Sequence, residues 1–136
     1  MSSKTGSEIE ADVYAIINAS TLKTAITGTI YKDGMRPLGA LTQDAVVSFM
    51  TGLDAQIQTG ALNLNIYVSD IDNGSGLLVK NGSKCRSLEI MANALIQGLK
   101  PTEYRFSLGA TIQTFPAEGI SQHFVNCKIK YQLLTF

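Results

Sequence analysis

The side chains in this sequence that could do chemistry are few and far apart. The single histidine, His123, is the one side chain whose unperturbed pKa lies near neutrality. No Cys, Asp or Glu stands at ligand spacing beside it, so its expected role is structural or at the surface. A serine or cysteine hydrolase built on it would need a nucleophile delivered by the fold, because the chain has no Gly-x-Ser-x-Gly elbow. Asp70, Asp72, Asn73 and Gly74 resemble the start of a calcium loop. The closing glutamate is missing, however, and Leu77-Leu78-Val79 follows instead. Asp-x-Asp pairs also serve as turn residues that bond their own backbone. Gly74-Ser75-Gly76 lacks the third glycine of a phosphate loop, and no Gly-Lys-Ser/Thr triplet occurs. An enzyme would have to assemble an unrecognised site from His123 and the Asp70–Asn73 loop. The sequence therefore offers no catalytic residue, no metal ligand set and no cofactor site, and it is read as non-enzymatic.

Cys85 and Cys127 fall in no metal spacing. Both stand where apolar residues are expected, which reads as two buried free thiols and points to a reducing, intracellular origin. Lys+Arg and Asp+Glu number 11 each, giving zero formal charge and a pI near 6.5. A nucleic-acid binder ordinarily carries a basic excess that displaces counterions from phosphates. The balance argues against direct nucleic-acid recognition and against an anionic membrane surface. Met1 to Ser7 has no apolar signal run, and no stretch reaches bilayer length. Charged residues make up only 16 % of the chain, against the usual quarter. Self-association is the simplest cover for a surface so poor in charge.

The elements that must position these groups follow from periodicity. Residues 1–6 read as a flexible tail, and 7–136 as one domain. A capping box at Ser7 and Glu10 opens a helix whose stripe is Ile9, Val13, Ile16 and Ile17. Leu22 and Ile26 continue that stripe beyond a soft spot at Asn18 to Thr21, until Gly28. Thr29 to Tyr31 is a short strand ending in the Lys32-Asp33-Gly34 turn, and Met35 to Thr42 is a loop. Ala45 to Thr51 is a strand. Leu53 to Gly60 either extends it or forms a loop. Leu62, Leu64, Ile66 and Val68 alternate with Asn63, Asn65, Tyr67 and Ser69, a strict strand period. A turn-rich loop, Asp70 to Ser83, precedes a helix from Ser83 to Leu99, which Gly98 and Pro101 end. Two alternating strands, Phe106 to Gln113 and Val125 to Leu133, close the chain around a Pro116–Ser121 connector. The class is α+β, in the order α-β-β-β-α-β-β, with an antiparallel sheet covered on one face by two helices.

The other sheet face then carries Asn, Gln, Thr, Lys and Tyr. Asn63, Asn65 and Tyr67 form an uncharged polar row on the best strand, although asparagine is a poor strand former. It is either a solvent face or an interface whose amides bond a neighbouring copy. Lys128 and Lys130, expected near Lys100 and Arg105, are either an edge-protecting face or a contact to a partner's acidic patch.

This layout resembles the tail terminator or tail-completion proteins of long-tailed phages and the related head–tail joining proteins. The matching segments are the Ile9–Tyr14 helix, Gly28–Tyr31 with the Pro37 loop, and the strand Leu62–Val68. The Glu89–Leu99 helix and the Asn126–Tyr131 strand follow in the same order. The resemblance is one of element order over nearly the whole chain, and the long Asp70–Ser83 connection departs from it. It implies a structural protein of a virion, assembled in the cytoplasm of a bacterial host. Such proteins form rings, often hexameric, that cap the tail tube and prepare it to join the head. It also implies a homo-oligomer whose partners are tail-tube and head–tail connector proteins. Candidate contact residues are then Met35, Arg36 and Leu38 in one loop, Asp70, Asp72 and Asn73 in the other, and the Asn63–Asn65–Tyr67 and Lys128–Lys130 rows. The alternative is a small non-enzymatic ligand- or peptide-binding module of a bacterial protein, with a concave pocket beside the sheet.

Overall fold

The computed structural model describes residues 4–134. Helix α1 (Gly6–Asn18) starts earlier than expected, because the spacing Ser/Thr-x-x-Glu occurs twice. Thr5 and Glu8 form the capping box: the Glu8 amide donates to Thr5 Oγ1 and the Thr5 amide donates to Glu8 Oε1. Glu10 is drawn away to accept the Phe49 amide at 3.1 Å. Part of the expected tail is therefore tied down. Lys4 exchanges two backbone hydrogen bonds with the Gln58 side chain, and its Nζ lies 2.6 Å from Asp12 and 3.0 Å from Glu103. Residues 1–3 of that tail lie outside the described residues. The stripe breaks at the soft spot, so that a separate turn, α2 (Leu22–Ala25), buries Leu22.

The strands are β1 (Ile30–Lys32), β2 (Ala45–Leu53), β3 (Ile57–Ser69), β4 (Ile71–Asp72), β5 (Leu78–Val79), β6 (Tyr104–Leu108), β7 (Gln113–Pro116) and β8 (Gln122–Leu134). Helix α3 (Gly82–Gln97) lies between β5 and β6, and Asn81 Oδ1 caps it by accepting the Lys84 amide. The main sheet runs β1-β2-β3-β8-β6, with β7 beside the first half of β8. The α+β class stands, with one correction. All pairs in this sheet are antiparallel except β1–β2, which is parallel. The cause is local to the strand starts. Asp44, just before β2, accepts the amide of Thr29, just before β1, at 2.8 Å, and the Gly28 amide donates to Gln43 O. Both strands therefore leave from one point in one direction.

The sheet resolves one element left open and one expected strand. The ambiguous Leu53–Gly60 stretch is the tip of the β2–β3 hairpin, with a register shift around Met50. The expected Phe106–Gln113 strand splits at Gly109 into β6 and β7. There the Gly109 backbone sits so close to Lys128 and Lys130 that a Cβ would lie 3.0 Å from each Cγ. The Pro116–Ser121 connector does join two antiparallel strands.

Along β3, Leu62, Leu64, Ile66 and Val68 are buried. They join Ile9, Val13 and Ile17 of α1 and Cys85, Leu88, Ala92 and Ile96 of α3 in one core. Both helices thus cover one face, and the opposite face and the two sheet ends remain for contacts.

Candidate functional site

The outer face opens on the polar row. Asn65 pairs directly with Asn126 across β3–β8. Asn126 Nδ2 donates to Asn65 Oδ1 at 2.7 Å and to Asn63 Oδ1 at 3.2 Å. The amides are thus bonded to one another. Tyr67 continues the row with Phe124 and Phe115, at ring separations of 5.7 and 5.8 Å along the chain of contacts. The Arg36 guanidinium sits 3.9 Å above the Tyr67 ring.

Arg36 is not at the surface of its loop, as its grouping with Met35 and Leu38 had it. Its side chain is only 12 % exposed. It donates to Asp44 Oδ2 at 3.0 Å, to the Ala40 and Thr42 carbonyls and to Gln122 Oε1. Burial pushes the Asp44 carboxyl up, but the hydrogen bonds from Thr42, the Thr29 amide and Arg36 together hold it below the usual carboxylate range. This knot closes the β1–β2 crossover and leaves Met35, Leu38 and Leu41 projecting, Leu38 wholly exposed.

The fold does bring His123 to the Asp70 loop, with Nδ1 2.7 Å from Asp70 Oδ1. Among the described residues, no hydrogen bond reaches the other ring nitrogen, and no three His, Cys, Asp or Glu side chains are placed to hold a metal ion. Asp72 and Asn73 act as turn residues. Asp72 Oδ1 accepts the amides of Gly74 and Gly76, and Asn73 Oδ1 that of Ser75. Gly74 and Gly76 have φ of 95° and 85°, which only glycine adopts freely. The result is a small β4–β5 hairpin with Ile71, Leu77 and Leu78 exposed.

At the other end of the long strands the outer face dips into a groove of about 900 Å³. Arg105, Lys128 and Lys130 line it, with Met50, Ala61 and Phe106 as apolar lining. Lys100 is not part of it. Met50 is exposed at the groove's edge, and beyond it Leu53, Ile57 and Leu134 are exposed at the strand ends. Both cysteines are buried free thiols; burial raises Cys85 and pushes Cys127 up to about 11.

Sequence reasoning grouped the lysines but missed the apolar side chains exposed at the two sheet ends. Leu41, Leu53, Ile57 and Leu77 carry no signal of exposure, because an apolar residue in a strand or loop reads as core.

These features define a two-layer α+β protein with large apolar side chains exposed at both ends of its sheet. No protein-family model matches the chain, and no curated protein sequence matches it. Among solved structures, one protein aligns over 95 % of this chain and 96 % of its own, with a TM-score of 0.50 and 15 % identity. That likeness shows the fold alone. Among the described residues, no helix is long and apolar enough to cross a membrane.

Proposed function

We propose that this chain is the subunit of a homo-oligomeric ring in a phage or prophage virion, acting in tail completion. One observation carries the reading: apart from Ile90 on α3 and Phe115 on β7, the large exposed apolar side chains gather at the two opposite ends of the long strands. Met35, Leu38, Leu41, Ile71, Leu77 and Leu78 lie at one end, and Met50, Leu53, Ile57 and Leu134 at the other. Scattered exposed leucines are ordinary, but clustered ones mark association sites. Two different patches at opposite ends favour head-to-tail contacts, which close into a ring when the rotation permits. One ring face would then seat on the end of the tail tube and stop further subunit addition, and the other would meet the head–tail connector. Stopping a polymer in this way requires complementary shape and no reaction.

The test is mass by light scattering across concentration, together with electron micrographs. The expected result is a ring with several times the 14.6 kDa chain mass, reduced to monomer by Leu38→Glu or Leu53→Glu. A single 14.6 kDa species at every attainable concentration, with no ring in micrographs, would remove the reading. The groove favours a second reading, a monomeric module that binds a ligand or peptide, since its volume falls within the range of ligand pockets.

A further inference from the structure

We infer that the β4–β5 hairpin of one copy docks into the basic groove of the next, a contact that rests on the ring reading above. The groove is short of an anion. Lys128 and Lys130 stand two residues apart on β8, so they emerge on the same face about 7 Å from each other. Arg105 pairs with Gln132 on the neighbouring strand and is the diagonal neighbour of Lys130. The two lysine stems are packed against Gly109, which limits how far they can spread to relieve repulsion. Among the described residues, no Asp or Glu lines the groove, and none of its three cations forms an ion pair.

The hairpin is the chemical complement. Its ladder has only two residue pairs, too few for stability in water without cover, yet Ile71, Leu77 and Leu78 face outward. Its Asp72 carboxylate sits at the base of the glycine turn. Glu118 stands at the same end, because the Asp70 amide bonds Ser121 O beside the β7–β8 turn, while the Asp70 carboxylate itself is taken by His123. Lys80 follows β5 directly, and Lys84 and Arg86 come in the first turns of α3. Apolar side chains next to carboxylates thus face an apolar floor ringed by cations.

A chain cannot satisfy itself in this way. The groove flanks Gly60 and the hairpin begins after Ser69, nine residues further along the same strand, or about 30 Å at the usual rise. The contact must join two copies, hairpin of one to groove of the next, and repeating it gives every subunit the same pair of neighbours. Exchanged reciprocally between two copies, the same pair would close a two-fold dimer; in the ring each subunit gives its hairpin to one neighbour and takes the hairpin of the other.

The experiment uses the whole chain with charge placed on each side of the contact. Leu77→Arg puts a cation on the hairpin at a residue 72 % exposed, and Lys128→Glu/Lys130→Glu reverses the groove on the outer sheet face. Each is expected to weaken self-association at least tenfold in light scattering, with thermal unfolding unchanged. Combining all three substitutions in one chain should restore assembly, because the new Arg meets the new carboxylates. If both variants assemble like the wild type while Leu38→Glu breaks the ring, the docking is wrong and the ring reading survives. A weakened pair with no recovery in the combined variant also overturns the docking. A wild type that never assembles overturns both.

Discussion

Tyr131→Phe should leave this protein as stable as the wild type or more so, whereas Tyr104→Phe should weaken it. Both rings are almost wholly buried, so hydroxyl bonding separates them. Tyr131 Oη is buried with no hydrogen-bond partner among the described residues. It lies over the paired glycines of the β2–β3 ladder, where a Cβ at Gly52 or Gly60 would come within 2.6 or 2.7 Å of it. Leaving such a group unpaired costs about 1–3 kcal/mol. Removing the oxygen opens a void of about 10 Å³, which at about 24 cal/mol per Å³ returns only about 0.2 kcal/mol of that. The net expectation is a gain of about 1 kcal/mol. Tyr104 Oη, by contrast, donates to Asp12 Oδ2 at 2.6 Å. Burial and then the Asp12 carboxylate push its phenol far up, so it stays a donor at every accessible pH. A hydrogen bond to a charged group is worth about 1.5–3 kcal/mol, and Asp12 keeps its ion pair with Lys4, so the loss should be near the lower figure. Unfolding entropy is about 2.1 cal/mol/K per residue, which makes 1 kcal/mol equivalent to about 3–4 °C in Tm for a chain of 136 residues. Calorimetry at neutral pH should show Tyr131→Phe about 3 °C above the wild type and Tyr104→Phe about 5 °C below. A drop of several degrees for Tyr131→Phe would refute the reasoning, since it would mean the hydroxyl has a partner.

Asp44 predicts an acid limb. Its carboxyl is held below its usual value, so it binds its proton more weakly folded than unfolded. Its contribution is complete above the ordinary carboxylate pKa of about 3.9 and drains away as pH falls through the lower folded value. Asp44→Asn should cost about 3–5 kcal/mol at neutral pH, because Arg36 is left buried without its counter-charge. It should also flatten the fall in urea-unfolding stability below pH ~4, and an acid slope equal to the wild type's would refute this. The thiols give a kinetic prediction. With both raised by burial, the native protein should react with a thiol reagent at pH ~8 no faster than it opens, and denaturant should release two thiols per chain. A rapid burst from the native state would show that one of them is accessible.

Periodicity made the central strand and the second long helix legible. The alternation of Leu62 to Val68 with its polar partners is a local pattern, and so is the stripe from Cys85 to Ile96. Long-range bonds decided the remainder. The parallel setting of β1 depends on one carboxylate, Asp44, reaching the Thr29 amide fifteen residues back. The break at Gly109 depends on the stems of Lys128 and Lys130, far ahead in sequence on β8. The helix start depends on which of two equivalent capping pairs keeps its glutamate, and Phe49 settled that by taking Glu10.

The candidate contact surface shifted for a related reason. Asn63 and Asn65 look available as glue when only their own strand is read, yet Asn126 on β8 answers both. An amide already bonded within the sheet gains little by exchanging that bond for one to a neighbour. The flat of the sheet is therefore a weaker candidate than its ends, where exposed Leu38, Leu53 and Leu77 have no such answer. Net charge misleads in the same way. Eleven positive and eleven negative groups sum to zero, but Arg105, Lys128 and Lys130 gather in one groove with no carboxylate in its lining. A sum over the chain cannot register that clustering. A neutral chain can thus still present a local basic surface, whose attraction to carboxylates on a neighbouring copy salt should screen.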